Sequence, residues 1–189
     1  EQGSGDVGPR AGEPPDGVEV SRDMPSVCAD KLSRGEVDVG LIPSIEYQRI
    51  PGLRAIPSLG IAASSEVRSV LLVSKVSRER ITSVSLDPAS RTSAALTRIL
   101  LARRYGVFPE FVEGPDGSGG DTSDTSDTSD TDARLVIGDP ALKARLNGHV
   151  VLDLAAEWRA FTGRSFVFAF WAVRADAAAP DVAEGVLLT

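Results

Sequence analysis

Strand-length apolar segments alternate with helical segments along most of this chain of 189 residues. Strand-length runs rich in apolar residues, such as 70–73 and 134–137, are separated by segments whose apolar residues recur with helical spacing. The clearest of these is 92–105, in which Leu96, Ile99 and Leu100 define one apolar face. This alternation is typical of α/β proteins and predicts strands that pair in parallel. We therefore expect an α/β fold.

The composition excludes several kinds of function. With one cysteine, Cys28, and one histidine, His149, the chain has no internal disulfide framework and no site built from several thiolates or imidazoles. A net charge of −7 does not favour a nucleic-acid partner, which requires a basic surface. No segment is long and apolar enough to span a membrane, and no secretory leader is recognisable, so we expect a cytoplasmic protein with no membrane partner.

Two segments depart from the alternation. Residues 1–24 are rich in glycine, proline and acidic residues, which predicts an irregular segment. Residues 114–132 contain a repeat of aspartate, threonine and serine, which predicts a disordered, solvated loop. Calcium binding is the less favoured interpretation, because the repeat lacks the turn glycine and the closing glutamate of a calcium loop.

Small polar residues cluster where predicted strands pass into helices. These positions are Ser44, the group Ser90-Arg91-Thr92-Ser93, and Gly138-Asp139, with Ser26 at a fourth helix start. Ligands of α/β sheets bind beyond the carboxyl ends of the strands, and helix N-termini there attract anions. Taken alone, Ser26 and Ser44 are better explained as helix N-caps than as ligand-binding residues, and Asp139 before Pro140 is likewise a common N-cap. The 90–93 group has more polar residues than a cap requires and favours anion binding.

These loops carry the residues by which the chain resembles a known family. In chain order they are Ile-Pro-Ser-x-Glu-Tyr at 42–47, Ser69 before an apolar strand, Ser-Arg-Thr-Ser at 90–93, Gly-Asp-Pro at 138–140, and an aromatic-rich segment at 157–171. Together they resemble the MqnA/MqnD family of the futalosine pathway of menaquinone biosynthesis. The 42–47 and 90–93 elements resemble its chorismate dehydratase branch.

The resemblance implies a two-lobed fold like that of type 2 periplasmic binding proteins, with the ligand between the lobes. Lobe 1 would comprise residues 25–75 and 170–189, and lobe 2 residues 76–169. The family's opening strand, with its Tyr-Leu-Asn motif, and its C-terminal helices have no counterpart here. We therefore expect a fold truncated at both ends.

The resemblance also implies a lyase that eliminates water from chorismate, a small-molecule substrate, to give 3-[(1-carboxyvinyl)oxy]benzoate, without a metal or an organic cofactor. The residues expected to bind the substrate are Ser26, Ser44, Ser69, Ser90, Arg91, Thr92, Ser93 and Gly138. Helix starts among them would hold the two carboxylates.

The general base stays open, as do other functions. Glu46 and Asp139 are the candidate catalytic residues, and the enolpyruvyl carboxylate of the substrate is a third candidate base. Alternatives for the whole chain are a non-catalytic module that binds small carboxylates and an inactive fragment of the enzyme. The sister enzyme of the family would be expected to use a histidine, and His149 lies outside the motifs. The sequence does not indicate an oligomeric state.

Overall fold

A computed structural model of the chain describes residues 17–114, 130–144 and 146–177. The helices are α1 (Pro25–Arg34), α2 (Arg91–Ile99), α3 (Asp139–Lys143) and α4 (Leu154–Thr162). The strands are β1 (Val39–Pro43), β2 (Leu53–Ala63), β3 (Val70–Ser74), β4 (Ser83–Leu86), β5 (Glu110–Glu113), β6 (Ala133–Ile137), β7 (Val150–Asp153) and β8 (Phe166–Arg174). A 3-10 helix, Ser44–Gln48, follows β1, and a π-helical turn, Leu100–Arg104, extends α2.

The strands form two sheets, which define the two lobes of the described chain. The first lobe has three strands in the order β1-β8-β2, and the second has five in the order β5-β4-β6-β3-β7. The predicted parallel pairing holds only for β4, which is parallel to β5 and β6; β3 and β8 are antiparallel to both of their neighbours. The prediction of strand direction is wrong there because β3 is buried along its whole length, and a continuous apolar run has the same appearance in either direction.

The helix predicted over 92–105 forms, but its buried face differs from the predicted one. Leu96 and Leu100 are buried in the core of the second lobe, whereas Ile99 is 42% exposed. Thr97 takes the buried position instead, and its hydroxyl donates to the carbonyl of Ser93 at 2.8 Å. A buried hydroxyl with such a partner carries little desolvation penalty, so apolar spacing alone misplaced this face.

Two short segments connect the lobes. The chain passes from β2 to β3 through residues 64–69 and from α4 to β8 through residues 163–165, and most of these residues are exposed. The strands therefore change from one sheet to the other several residues before the predicted boundaries at 75 and 169.

Asp153 anchors the connection between β2 and β3 to the second lobe. Its Oδ2 accepts hydrogen bonds from the backbone N–H groups of Val67 and Arg68 at 2.9 and 2.7 Å. Its Oδ1 accepts from Ala155 and Ala156 and so caps α4. One carboxylate thus satisfies four backbone donors.

The segment with the acidic repeat lies largely outside the described residues, as do residues 1–16. Its described end is anchored to β4, since the carboxylate of Asp132 accepts from the N–H and hydroxyl of Thr82 at 2.7 and 2.6 Å. These hydrogen bonds lower the pKa of Asp132. The N–H of Asp132 donates to the Ser83 hydroxyl at 2.9 Å. The predicted disorder of 114–132 is therefore wrong for Asp132.

Candidate active site

The first turn of α2 lies against the first lobe. The guanidinium of Arg91 donates two hydrogen bonds to the carboxylate of Asp30 in α1, Nη1 to Oδ1 at 2.9 Å and Nη2 to Oδ2 at 2.8 Å. The next residue, Thr92, accepts a hydrogen bond at Oγ1 from the backbone N–H of Ile45 at 3.4 Å. Adjacent residues of one helical turn therefore contact two different elements of the other lobe.

Glu46 is a buried carboxylate at this junction. Its side chain is 7% exposed, with Arg49 Nη1 2.8 Å from Oε1 and Arg91 Nη1 3.6 Å from Oε2. A carboxylate removed from water requires such positive partners. Both of its oxygens face guanidinium groups, which stabilise the carboxylate in its charged form.

Arg91 is already neutralised by acidic side chains. Its hydrogen bonds hold the pKa of Asp30 below the ordinary value for an aspartate, and the same bonds raise the pKa of Arg91. Sequence analysis placed Arg91 among the anion-binding residues, and the structure places it in an ion pair between the lobes.

The hydroxyl groups around Arg91 form the rest of the α2 start. Ser90 is at the N-cap position, but its side chain makes no capping hydrogen bond. Its hydroxyl instead donates to the hydroxyl of Ser93 at 3.1 Å, and both Thr92 and Ser93 are buried. Backbone N–H groups in the first turn of α2 therefore have no side-chain cap, which leaves the helix start suited to an anion.

Ser26, Ser44 and Asp139 do not cap their helices, so the interpretation of these residues as N-caps is wrong. The N-cap residues of their helices are Met24, Pro43 and Gly138, and none makes a side-chain cap. Prolines account for the first two cases, since Pro25 takes the first position of α1 and Pro43 ends β1 where the 3-10 helix begins.

Ser26 and Ser44 have other surroundings. Ser26 is buried in the first turn of α1, four residues before Asp30 and so on the same helical face. The Ser44 hydroxyl donates to the carbonyl of Val167 at 2.8 Å and so connects the 3-10 helix to β8.

Ser69 and Gly138 meet at the end of the β3–β6 ladder. The N–H of Gly138 donates to the carbonyl of Ser69 at 2.8 Å. Asp139 follows as the first residue of α3, where its side chain is 80% exposed and its Oδ2 lies 3.6 Å from Lys143 Nζ. The two candidate bases therefore occupy opposite environments, Glu46 buried and Asp139 in solvent.

Sequence reasoning missed Asp30 and Arg49. Arg49 follows Glu46 by three residues, a spacing that places both side chains on one face of a helical turn and could have indicated the pair. Asp30 and Arg91 are 61 residues apart in the chain, and no local pattern predicts their contact.

The described part of the chain lacks a metal site of clustered side chains and a membrane-spanning helix. No group of three or more His, Cys, Asp and Glu side chains there could hold a metal ion. No helix among the same residues has the length and apolar character required to cross a membrane.

Comparison with known proteins shows which family matches this chain. The family model described as menaquinone biosynthesis matches residues 11–187. The chain is 31% identical over 153 residues to a chorismate dehydratase of Campylobacter jejuni, an alignment that covers 80% of this chain and 52% of that protein. It is 29% identical over 179 aligned positions to a chorismate dehydratase of Thermus thermophilus, covering 85% and 63%. The chain thus spans roughly half to two-thirds of these relatives.

Solved structures support the fold. A crystal structure of an Archaeoglobus fulgidus protein aligns with a TM-score of 0.64 at 20% identity, covering 89% of this chain and 60% of that one. The periplasmic aliphatic sulphonate binding protein SsuA of Escherichia coli aligns with a TM-score of 0.51 at 17% identity, covering 84% and 55%. The predicted periplasmic-binding-protein-like fold is therefore confirmed.

Proposed function

Because this chain belongs to the menaquinone biosynthesis family, we propose that it acts as a chorismate dehydratase. The substrate is chorismate, and the products are 3-[(1-carboxyvinyl)oxy]benzoate and water. The observation that carries the proposal is that two relatives bearing this name align with four-fifths or more of the chain.

The first turn of α2 is suited to hold one carboxylate of the substrate. It lies at the lobe junction and has no side-chain cap. A carboxylate that accepts hydrogen bonds from these amides would also receive the partial positive charge of the helix N-terminus. The hydroxyl of Ser93, which accepts from Ser90, adds a donor at the same end of the helix.

Such donors would lower the barrier to the chemical step. The reaction removes the proton from ring carbon C3 and the hydroxyl from C4. As the C3–H bond breaks, negative charge extends through the ring diene to the ring carboxylate. Hydrogen-bond donors aimed at that carboxylate stabilise the developing charge. The C3–H electron pair becomes part of the aromatic ring as the C4–O bond breaks, and the departing hydroxide takes up a proton to form water. Because elimination changes no net oxidation state and aromatisation drives it, we propose that no cofactor takes part.

The enolpyruvyl carboxylate of the substrate is the base that the geometry favours. Glu46 is held by Arg49 and lies beside Arg91, and Asp139 is exposed and paired with Lys143. Neither is a free carboxylate within a closed site. The enolpyruvyl group is attached to C3 itself, so its carboxylate can reach the C3 proton within the substrate.

Turnover and binding are best measured on the same sample. The purified chain is incubated with chorismate, products are separated by chromatography, and chorismate binding is measured by calorimetry. Formation of the aromatic ether above the uncatalysed rate supports the proposal. Binding without turnover would support the non-catalytic module, and absence of both would support an inactive fragment.

A further inference from the structure

We propose that Asp30 and Arg91 form a clasp between the lobes, in which Asp30 is a positioning residue that holds the first turn of α2 in place. In this account Arg91 does not bind a substrate carboxylate. The second statement rests on the proposed function, whereas the clasp itself can be tested without substrate.

The geometry of the pair is that of a specific contact. Both nitrogens at the end of the Arg91 side chain donate, one to each oxygen of Asp30, at 2.9 and 2.8 Å. A planar guanidinium that matches a carboxylate in this way fixes orientation as well as distance. The side chains of Arg91 and Asp30 are 28% and 44% exposed, so the pair is partly shielded from solvent.

Neighbouring contacts converge on the same turn. Thr92 accepts from the Ile45 N–H, and Glu46 lies 3.6 Å from the other side of Arg91. The first turn of α2 is therefore held by α1 on one side and by the 3-10 helix on the other. Among the described residues, only Asp30 makes a bidentate hydrogen bond to this turn.

The connections between the lobes give this contact a mechanical role. Covalently, the lobes are joined in the described chain by residues 64–69 and 163–165, and Asp153 fixes Val67 and Arg68 to the second lobe. The remaining exposed residues, 64–66 and 163–165, are short segments about which one lobe can rotate relative to the other. Such a rotation would separate Arg91 from Asp30, so their ion pair opposes it.

Local charge does not favour Arg91 as a partner for the substrate. The guanidinium lies between the carboxylates of Asp30 and Glu46, and both would repel an incoming carboxylate. No side chain caps the first-turn amides of α2, and no acidic residue belongs to that turn. Arg91 therefore places these amides, and the amides receive the anion.

Amide hydrogen exchange without substrate tests the clasp. Asp30→Asn removes the ion pair while keeping side-chain size, Arg91→Gln removes it by shortening and neutralising the side chain, and the double variant Asp30→Arg/Arg91→Asp reverses it. We expect exchange of the Ile45 and Ala94 amides, which donate to Thr92 Oγ1 and to the Ser90 carbonyl, to rise roughly tenfold in each single variant, as loss of a charged hydrogen bond implies. In the double variant the rates should return partway toward wild type, because Glu46 repels the new carboxylate at position 91. The matched control is Glu36→Gln, which breaks the exposed Arg34–Glu36 pair of the same lobe and should leave these rates unchanged. Wild-type exchange in Asp30→Asn would overturn the clasp.

Chorismate turnover by the same variants tests the role of Arg91. If Arg91 positions α2, the double variant regains part of the kcat/KM that the single variants lose, in step with its regained protection. If the double variant regains protection but no activity, Arg91 contacts the substrate and that part of the inference fails. A wild-type chain without turnover would contradict the proposed function, and the exchange data would still decide the clasp.

Discussion

Gly138 donates its backbone N–H to the carbonyl of Ser69 at 2.8 Å, one step beyond the last pair of the β3–β6 ladder, Val70 and Ile137. The hydrogen bond places the turn before α3 beside the start of β3. Gly138 has φ 69° and ψ −145°, a combination that side-chain-bearing residues strongly avoid. The backbone conformation therefore explains why the Gly-Asp-Pro motif at 138–140 begins with glycine.

Gly138→Ala is expected to lower the free energy of unfolding by about 1–3 kcal/mol. The cause is backbone strain, since the nearest atom to an added Cβ is Pro140 Cδ at 4.0 Å. Urea denaturation measures the change. Ser69→Ala is the control, because Ser69 contributes only its carbonyl to this hydrogen bond, and its stability should stay within about 0.5 kcal/mol of wild type. Equal stability of Gly138→Ala and wild type would contradict this account.

Asp153→Ala should destabilise the protein by about 2–4 kcal/mol, because it removes a helix cap and leaves the N–H groups of Val67 and Arg68 without their acceptor. Asp153→Asn should lose less, since asparagine caps helices as well as aspartate does. Thermal or urea unfolding of both variants checks the order. If asparagine costs as much as alanine, the hydrogen bonds that its single amide oxygen can still accept do not stabilise the fold as this account requires.

Asp139→Asn and Glu46→Gln should each keep kcat for chorismate within about tenfold of wild type. Loss of a true general base lowers the rate by about 10²–10⁴-fold. Asp139→Asn should have the smaller effect, because its side chain is exposed, whereas Glu46→Gln disturbs the pair with Arg49. A fall of a hundredfold or more in either variant, with the fold intact by circular dichroism, would identify that residue as the base.

Tyr105 is expected to make stability sensitive to alkaline pH. Burial, followed by its hydrogen bond to Glu157, raises the pKa of this phenol above the ordinary value of 10.0. The folded state thus holds the proton more tightly than the unfolded state, so the contribution is complete below pH 10 and is lost as pH rises through the raised pKa.

Tyr105→Phe should remove that part of the alkaline decline and cost about 1 kcal/mol at neutral pH. Unfolding free energies measured from neutral to strongly alkaline pH test this. The matched control is Tyr47→Phe, a change to the other tyrosine of the chain, which packs edge-on against Phe170 and should leave the decline unchanged. If the unfolding free energy of Tyr105→Phe falls with rising pH as much as that of wild type, groups other than Tyr105 cause the decline.

The sequence predicted the parts of this protein that depend on local pattern. The polar turns after β1 and before α2 and α3 are where sequence analysis placed them, and Leu96 and Leu100 are buried as expected. The resemblance in these turns was sufficient to predict the family and its fold.

The rest depended on contacts that local pattern does not contain. The Asp30–Arg91 pair joins residues that are 61 positions apart in the chain. Because of this pair, Arg91 is not a free cation but is bound to a carboxylate of the other lobe. Strand direction was mispredicted because burial on both faces of β3 gives one apolar run for either direction. The prolines before Ser26 and Ser44 displaced the caps that composition favoured.

The proposed reaction can be followed directly by proton NMR of chorismate mixed with the purified chain. We predict that the signals of the ring diene decline while aromatic signals of 3-[(1-carboxyvinyl)oxy]benzoate increase in equal amount, at a rate proportional to protein concentration. If chorismate is consumed no faster than in buffer at every protein concentration, this chain is not a chorismate dehydratase.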